Sequence, residues 1–155
     1  MTTAPDERGR RLAAHPFFSG WEGPLLDRLE PDVVGRSYAA GDRIMKEGDP
    51  ADRFILIRDG KVALEIVLPD RPYVTIQTLS GGEVVGWSWL TRPHLWRSDA
   101  RAVKATRTLE IPAATLRHAL AAQPEEGYRF LLRLLPVIAE RLEHTRLQLL
   151  DLYGR

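Results

Sequence analysis

A mainly β fold with flanking helices is predicted for this 155-residue chain from a change of pattern at each end of its central segment. Between Val33 and Ile111, short β-branched and aromatic runs alternate with turn signals, which is typical of a small sandwich or jelly roll. After Pro112, apolar residues instead recur at helical spacing. The length suits one domain, which we place at residues 12–155, behind a flexible N-terminal segment at residues 1–11.

The central segment is predicted to be a β-roll at about 33–111. Before it, Leu25, Leu26 and Leu29 have helical spacing and predict a short helix that docks on the core. Asp59-Gly60 lies between two apolar runs and predicts a tight hairpin. The eight predicted strands are 33–38, 43–46, 54–58, 61–68, 73–79, 83–85, 98–105 and 108–111.

Two helices are predicted after the strands, a short one at about 113–122 and a long one at about 125–152. Pro136 lies inside the long helix and is expected to kink it or to mark its real start. Along this helix, mostly apolar residues recur at spacings of four and three residues, which is the heptad pattern of a coiled-coil seam. This seam favours a homodimer over packing of the helix on its own β-roll. The dimer seam consists of Leu131, Leu135, Ile138, Leu142, Thr145, Leu149 and Leu152.

Composition argues against several classes of function. The chain has no cysteine, which excludes disulfides, Cys-ligated metals and a thiol nucleophile. The net charge of +1 gives no bulk attraction to nucleic acid or membranes, and no apolar stretch approaches the roughly 20 residues that cross a bilayer. With a polar N-terminus, these features predict a cytoplasmic protein. His94 and His118 lack partners at metal-ligand spacing and catalytic signatures are absent, so we expect neither a metal site nor an enzyme.

The predicted order of elements resembles that of the cyclic nucleotide-binding domain, and most of all the sensor half of Crp/Fnr-type regulators. The resemblance spans about residues 12–152. It implies an eight-stranded jelly roll followed by a dimerisation helix. The motifs that carry it are HPFF (15–18), EGDPADRFILIRDGKVAL (47–64), RSDARA (97–102) and the turn glycines Gly41, Gly48, Gly60 and Gly82.

In that family a phosphate-binding cassette begins with Gly-Glu, forms a short helix and ends with Arg-Ser or Arg-Thr. The matching cassette here is residues 84–102, VVGWSWLTRPHLWRSDARA. Gly86 matches the glycine, and Arg97 and Ser98 match the end. Counting back from residues 108–112 would put Trp96 in the arginine position instead. We prefer Arg97, because the serine then matches as well.

Two positions of the cassette depart from the family. Trp87 stands where the family glutamate accepts a hydrogen bond from the ribose 2′-hydroxyl, which lowers the expected affinity for a nucleotide roughly ten- to hundredfold. Asp99 would repel a phosphate unless it pairs with Arg97 or Arg101. The cluster of Trp87, Trp89 and Trp96 either stacks a planar ligand or fills a disused pocket.

Thr145 in the long helix aligns with a family threonine that reaches the adenine base. Alternatively, Thr145 does not contact a ligand and is a polar seam residue that sets the register of the helices. The candidate ligand-binding residues are therefore Gly86, Trp87, Ser88, Trp89, Trp96, Arg97, Ser98 and Thr145.

Two functions remain open on the sequence. The first is a non-catalytic regulatory module that binds a cyclic nucleotide (cAMP or cGMP), or another anionic and planar ligand, and signals through the dimer helix. The second is a ligand-free domain that acts as a dimeric protein-interaction adaptor. Related regulators continue into a helix-turn-helix, whereas this chain ends shortly after the predicted helix, so we expect no DNA binding by this chain alone. A piece of a longer regulator is a third interpretation.

Overall fold

The computed structural model describes residues 10–154 as strands and helices packed around one apolar core. Its strands are β1 (Val34–Tyr38), β2 (Arg43–Met45), β3 (Arg53–Asp59), β4 (Lys61–Leu68), β5 (Arg71–Ser80), β6 (Asp99–Ala102) and β7 (Thr106–Pro112). Its α-helices are α1 (Arg11–Ala14), α2 (Leu25–Leu29), α3 (Ala113–Ala122) and α4 (Pro124–Tyr153). Short 3-10 helices follow α1 and α2, at Pro16–Phe18 and Glu30–Asp32.

The N-terminal segment is described from Arg10 onwards. Residues 1–9 of the predicted flexible segment lie outside the described residues. Arg11 begins α1, its Nε lies 3.0 Å from Glu30 Oε1, and its guanidinium also donates to Val33 O. These bonds tie the end of that segment to the start of the β-roll.

The strands form two antiparallel sheets, with orders β1-β7-β3 and β2-β6-β4-β5. The predicted mainly β class, with its jelly-roll-like fold and long C-terminal helix, is confirmed. The predicted strand at 83–85 is instead a single bridge, in which Val84 pairs with Leu56 of β3. Hydrogen bonds from Val85 N to Ile55 O at 3.0 Å and from Ile57 N to Glu83 O at 2.9 Å flank this bridge and hold the start of the cassette on β3.

The predicted hairpin at Asp59-Gly60 is wrong. The two strands that this turn joins lie in different sheets, because β3 pairs with β7 while β4 pairs with β5 and β6. Gly60 is needed for another reason. Its φ is +116°, and a Cβ there would lie 2.6 Å from Thr106 Cα.

Helix α4 continues through Pro136, which is exposed and neither starts nor ends it. The helix begins at Pro124, where a missing N–H costs nothing because the first turn has no intrahelical acceptor. Within residues 10–154 there is no helix both long and apolar enough to cross a bilayer.

An aromatic cluster joins α4 to the β-roll. Phe130 of α4 is fully buried, and its ring centroid lies 5.3 Å from Phe17, 5.6 Å from Phe54 and 5.8 Å from Trp89. The four rings come from the HPFF motif, β3, the cassette and α4, and most of them meet edge to face. This cluster fixes the start of α4 against the cassette.

His15 links the HPFF motif to β3, and only the neutral imidazole makes both of the hydrogen bonds that form this link. The N–H of Phe17 donates to His15 Nδ1 at 3.1 Å, so the ring proton is on Nε2, which lies 2.8 Å from Ile57 O. Burial of the imidazole lowers its pKa. A second proton on Nδ1 would remove the acceptor that Phe17 uses.

Stability is therefore expected to depend on His15 in mild acid. The folded-state pKa lies below the unfolded value of about 6.5, so the unfolded chain binds the proton more readily. This contribution is complete above about pH 6.5 and is lost as the pH falls below it. Thermal unfolding followed from about pH 8 to pH 5 should show a steeper fall in Tm for the wild type than for His15→Asn. Parallel curves would contradict this assignment.

Candidate functional site

A cavity of about 300 Å³ lies between the four-stranded sheet, the cassette and α4. This volume is at the lower end of the range for small-molecule sites. The sheet supplies its floor, the cassette one wall and α4 the other. The residues that line it are Met45, Leu64, Ile76, Gln77, Val85, Gly86, Trp87, Ser88, Trp96, Arg97, Ser98, Ile138, Arg141, Leu142 and Thr145.

The cassette forms turns between Gly86 and Ser98 where the family pattern implies a short helix. A turn closes between Leu90 N and Trp87 O at 2.9 Å, and no helix follows before β6. A phosphate in this cavity would therefore rely on side chains rather than on a helix N-terminus.

The second half of the cassette is braced by the EGDPA loop, residues 47–51. Gly48 N donates to Trp96 O at 2.9 Å, and Trp96 N donates to Asp49 O at the same distance. Ala51 N donates to His94 O at 2.7 Å. These backbone bonds join the loop to the cassette and hold the chain at Trp96, directly before Arg97 and Ser98.

Of the eight residues predicted to bind a ligand, seven line the cavity and Trp89 does not. Trp89 is fully buried, its ring packs on Phe54 at 5.0 Å, and its indole Nε1 donates to Gly86 O at 3.1 Å. The backbone carbonyl of Trp89 accepts from Arg117 of α3 at 2.5 Å. Trp89 is thus a core residue that supports the cassette from behind.

Arg97 and Trp96 both line the cavity, but in different environments. Trp96 is 3% exposed, whereas Arg97 is an exposed side chain at the rim. Ser98, next to them, is half-buried. Trp96 is thus an interior residue of the cavity lining, and Arg97 is a solvent-accessible one.

Asp99 does not face the cavity. Its Oδ1 accepts from Glu47 N at 2.8 Å, and its Oδ2 lies 3.9 Å from Arg43 Nε. Arg101, the other suggested partner, pairs with Glu65 at 2.8 Å. The carboxylate that would repel a phosphate is therefore bound by the loop at Glu47, lies within ion-pair distance of Arg43, and does not line the cavity.

Arg141 of α4 is a cavity residue that the sequence analysis missed. The side chain is buried, and its guanidinium donates to the carbonyls of Val84 and Val85. Its Cζ lies 5.3 Å from the centre of the Trp87 ring, a cation–π geometry. Desolvation lowers the pKa of Arg141 to about 10, so the group is still charged at neutral pH.

The charged side chains that line the cavity are all cationic. Its lining residues include Arg97 and Arg141 but no aspartate or glutamate. Trp87 is half-buried and contributes an aromatic wall, while the cavity beside it stays open. An open, cationic and partly aromatic cavity suits an anion that carries a planar or apolar body.

Helix α4 contributes to the cavity and also carries an exposed apolar face. Ile138, Leu142 and Thr145 line the cavity, and the Thr145 hydroxyl donates to Arg141 O at 2.9 Å. Most of the predicted seam is open to solvent. Its exposed leucines are Leu131, Leu135, Leu142, Leu149 and Leu152, with exposures between 47% and 71%.

The comparison with known families fits this geometry. The model of the cyclic nucleotide-binding domain matches residues 35–123, more than half of the chain, and the chain belongs to this family. Together with its relatives, this makes it a regulatory domain of Crp/Fnr type, a class that is generally non-enzymatic.

Two curated relatives cover most of the chain. The CRP-like cAMP-activated global transcriptional regulator of Mycobacterium tuberculosis is 27% identical over 141 residues, or 91% of this chain and 61% of the regulator. Glutaminase 1 of Bradyrhizobium diazoefficiens is 29% identical over 131 residues, or 84% of this chain and 21% of the glutaminase. The chain therefore spans less than two thirds of either relative.

Solved structures show the same fold. The N-terminal domain of a transcriptional regulator from Streptomyces coelicolor is 26% identical, with a TM-score of 0.62, and the match covers 86% of this chain and 93% of that domain. A cyclic nucleotide-binding domain from Methylobacillus flagellatus is 20% identical, with a TM-score of 0.75, over 94% of this chain and 82% of that one.

Proposed function

We propose that this domain is a non-catalytic sensor that binds an anionic small molecule with a planar or apolar body, with cAMP and cGMP as the first candidates. The observation that carries the proposal is the open cavity of about 300 Å³, which holds two arginines and no carboxylate. Family membership supports a nucleotide-like ligand. The cAMP-activated relative in Mycobacterium tuberculosis supports cAMP as the first compound to test.

In this proposal each wall of the cavity has its own task. Arg97 and Ser98 at the rim bind the anionic group, because a guanidinium offers forked donors to phosphate oxygens. Trp87 and Trp96 cover the faces of the planar part. Thr145 offers a hydroxyl from α4, so the ligand touches both the β-roll and the helix.

The signal passes through α4 in this proposal. Large exposed leucines on one face of a helix favour association with a second copy through a coiled-coil seam. The same helix forms one wall of the cavity. A ligand that draws this wall towards the β-roll changes the position of α4 and hence the geometry of the dimer.

Replacement of Arg97 with alanine is the direct test. We expect cAMP or cGMP at a hundred times its dissociation constant to stabilise the wild type by about 2.7 kcal/mol, and uncharged adenosine to do far less. In Arg97→Ala the affinity should fall about ten- to hundredfold, because a charged hydrogen-bond partner is lost. Calorimetric titration and thermal shift, with cyclic dinucleotides added to the panel, measure both effects.

Arg92→Ala is the matched control. Arg92 is an exposed arginine in the same cassette that does not line the cavity, so its removal should leave the affinity unchanged. If both variants bind as the wild type does, Arg97 is not an anion-binding residue and the proposed site fails.

One observation favours a second function. Trp87 occupies the position of the family glutamate and lies against Arg141, which suits a domain that has lost its nucleotide and acts as a dimeric adaptor. The open cavity argues against it. Absence of binding across the whole panel, in a protein that still dimerises, would support the adaptor.

A further inference from the structure

Arg141 is a buried cation whose guanidinium has no carboxylate partner among the described residues. Only 8% of the residue is exposed. Among residues 10–154, no carboxylate lies within ion-pair distance of its guanidinium, and Glu83 and Glu140 act on it only at longer range. Its hydrogen bonds go to two backbone carbonyls, which use two of the five N–H donors of an arginine. A buried charge in this state is costly until an anion neutralises it.

Arg141 is more buried than the half-buried arginines of the fold, of which Arg117 and Arg133 also donate to backbone carbonyls without an ion pair. Arg11, Arg53 and Arg101 each pair with a glutamate, at 3.0, 2.5 and 2.8 Å. Neither Arg97 nor Arg141 has such a partner among the described residues. Two arginines without an ion pair, the exposed Arg97 of the cassette and the buried Arg141 of α4, thus line one cavity.

We propose, on the basis of the sensor function above, that the effector is a compact dianion rather than a monoanion. A cyclic phosphodiester brings one negative charge, which neutralises one of the two guanidiniums. A ligand with two negative charges, such as a phosphate monoester on a planar body, neutralises both. Trp87 is the residue that creates this preference, because it puts an uncharged ring where a carboxylate would pair with Arg141.

Cyclic AMP and 5′-AMP are the probes for this proposal, because they share the base and the sugar and differ in the phosphate, which is a singly charged cyclic diester in cAMP and an open, doubly charged monoester in 5′-AMP. In calorimetric titrations of the whole chain at about pH 7.5, 5′-AMP should bind at least about tenfold more tightly than cAMP, since one more charge-assisted contact is made. This advantage should shrink towards pH 5.5, because a phosphate monoester takes up a proton near pH 6. The ionisable side chains that line the cavity are Arg97 and Arg141, with no histidine or carboxylate among them.

Position 87 allows the charge to be tested without touching Arg141, whose replacement would also break two bonds to the backbone. Trp87→Glu puts a carboxylate beneath Arg141, and the preference should change to cAMP. Trp87→Gln has nearly the same shape without the charge and should keep the preference for 5′-AMP. Both variants lose the indole, so the comparison between them isolates the charge.

The outcomes separate this proposal from the function on which it rests. If cAMP binds and 5′-AMP binds no more tightly, the site is a monoanion site, and the dianion proposal is overturned while the sensor function stands. If Trp87→Glu and Trp87→Gln keep the same ratio of affinities, Arg141 does not set the charge preference. If neither probe, nor cGMP, nor a cyclic dinucleotide binds, both the sensor function and this proposal fail.

Discussion

Phe130→Ala is expected to lower the free energy of unfolding by about 3–5 kcal/mol, the usual cost of removing a buried phenylalanine side chain. The ring is fully buried and contacts Phe17, Phe54 and Trp89. Its loss leaves a cavity where three elements and the cassette meet. Equilibrium unfolding in urea, with ligand absent, measures the change.

Tyr128→Ala is the control for this prediction. Tyr128 is an aromatic residue on the same helix that is 64% exposed, and its removal should change stability by no more than about 0.5 kcal/mol. A loss below about 1 kcal/mol for Phe130→Ala would mean that the aromatic cluster does not hold α4 to the β-roll.

Leu135→Lys combined with Leu149→Lys is expected to convert a dimer to a monomer, with association weakened at least about a hundredfold. Both leucines lie in the predicted seam, are 60% and 49% exposed, and do not line the cavity. Lysines at these positions would have to bury unpaired charges in a dimer interface. Sedimentation velocity over a range of protein concentrations measures the change.

A lysine elsewhere on the same helix tests whether the seam itself is responsible. Leu147 is 57% exposed but lies outside the predicted seam, so Leu147→Lys should leave association intact. A wild type that stays monomeric at high concentration would contradict a dimer through this seam. So would a Leu147→Lys variant whose association is weakened as much as that of the variant with both Leu135→Lys and Leu149→Lys.

Local patterns were sufficient to predict most of the fold. The alternation of short β runs with glycine turns predicts the strands, and the helical spacing after Pro112 predicts α3 at the residues where it is found. The hairpin at Asp59-Gly60 was predicted wrongly, because a tight turn shows where the chain bends but not which strands pair. That choice depends on β7, almost fifty residues later, which takes β3 into the other sheet.

In the candidate site, too, the residues of a local motif could be predicted, whereas a residue placed by tertiary packing could not. The cassette motif leads to Gly86, Arg97 and Ser98, all of which line the cavity. Nothing local separates Trp89, which packs in the core, from its neighbour Trp87 at the cavity wall. Arg141 looks like one more charged residue on the polar side of a helix. Its burial depends on how closely α4 approaches Val84 and Val85, which a single sequence does not encode in any short pattern.

Leu142 belongs both to the cavity wall and to the exposed face of α4. In the proposed dimer, occupancy of the cavity and association of the two chains would therefore meet at this one side chain. Thermodynamic reciprocity then applies: a ligand that tightens association by some factor must itself be bound more tightly by the associated form, by the same factor. The apparent affinity for an effector would shift with protein concentration, so the amount of this protein in a cell would set the effector level to which it responds.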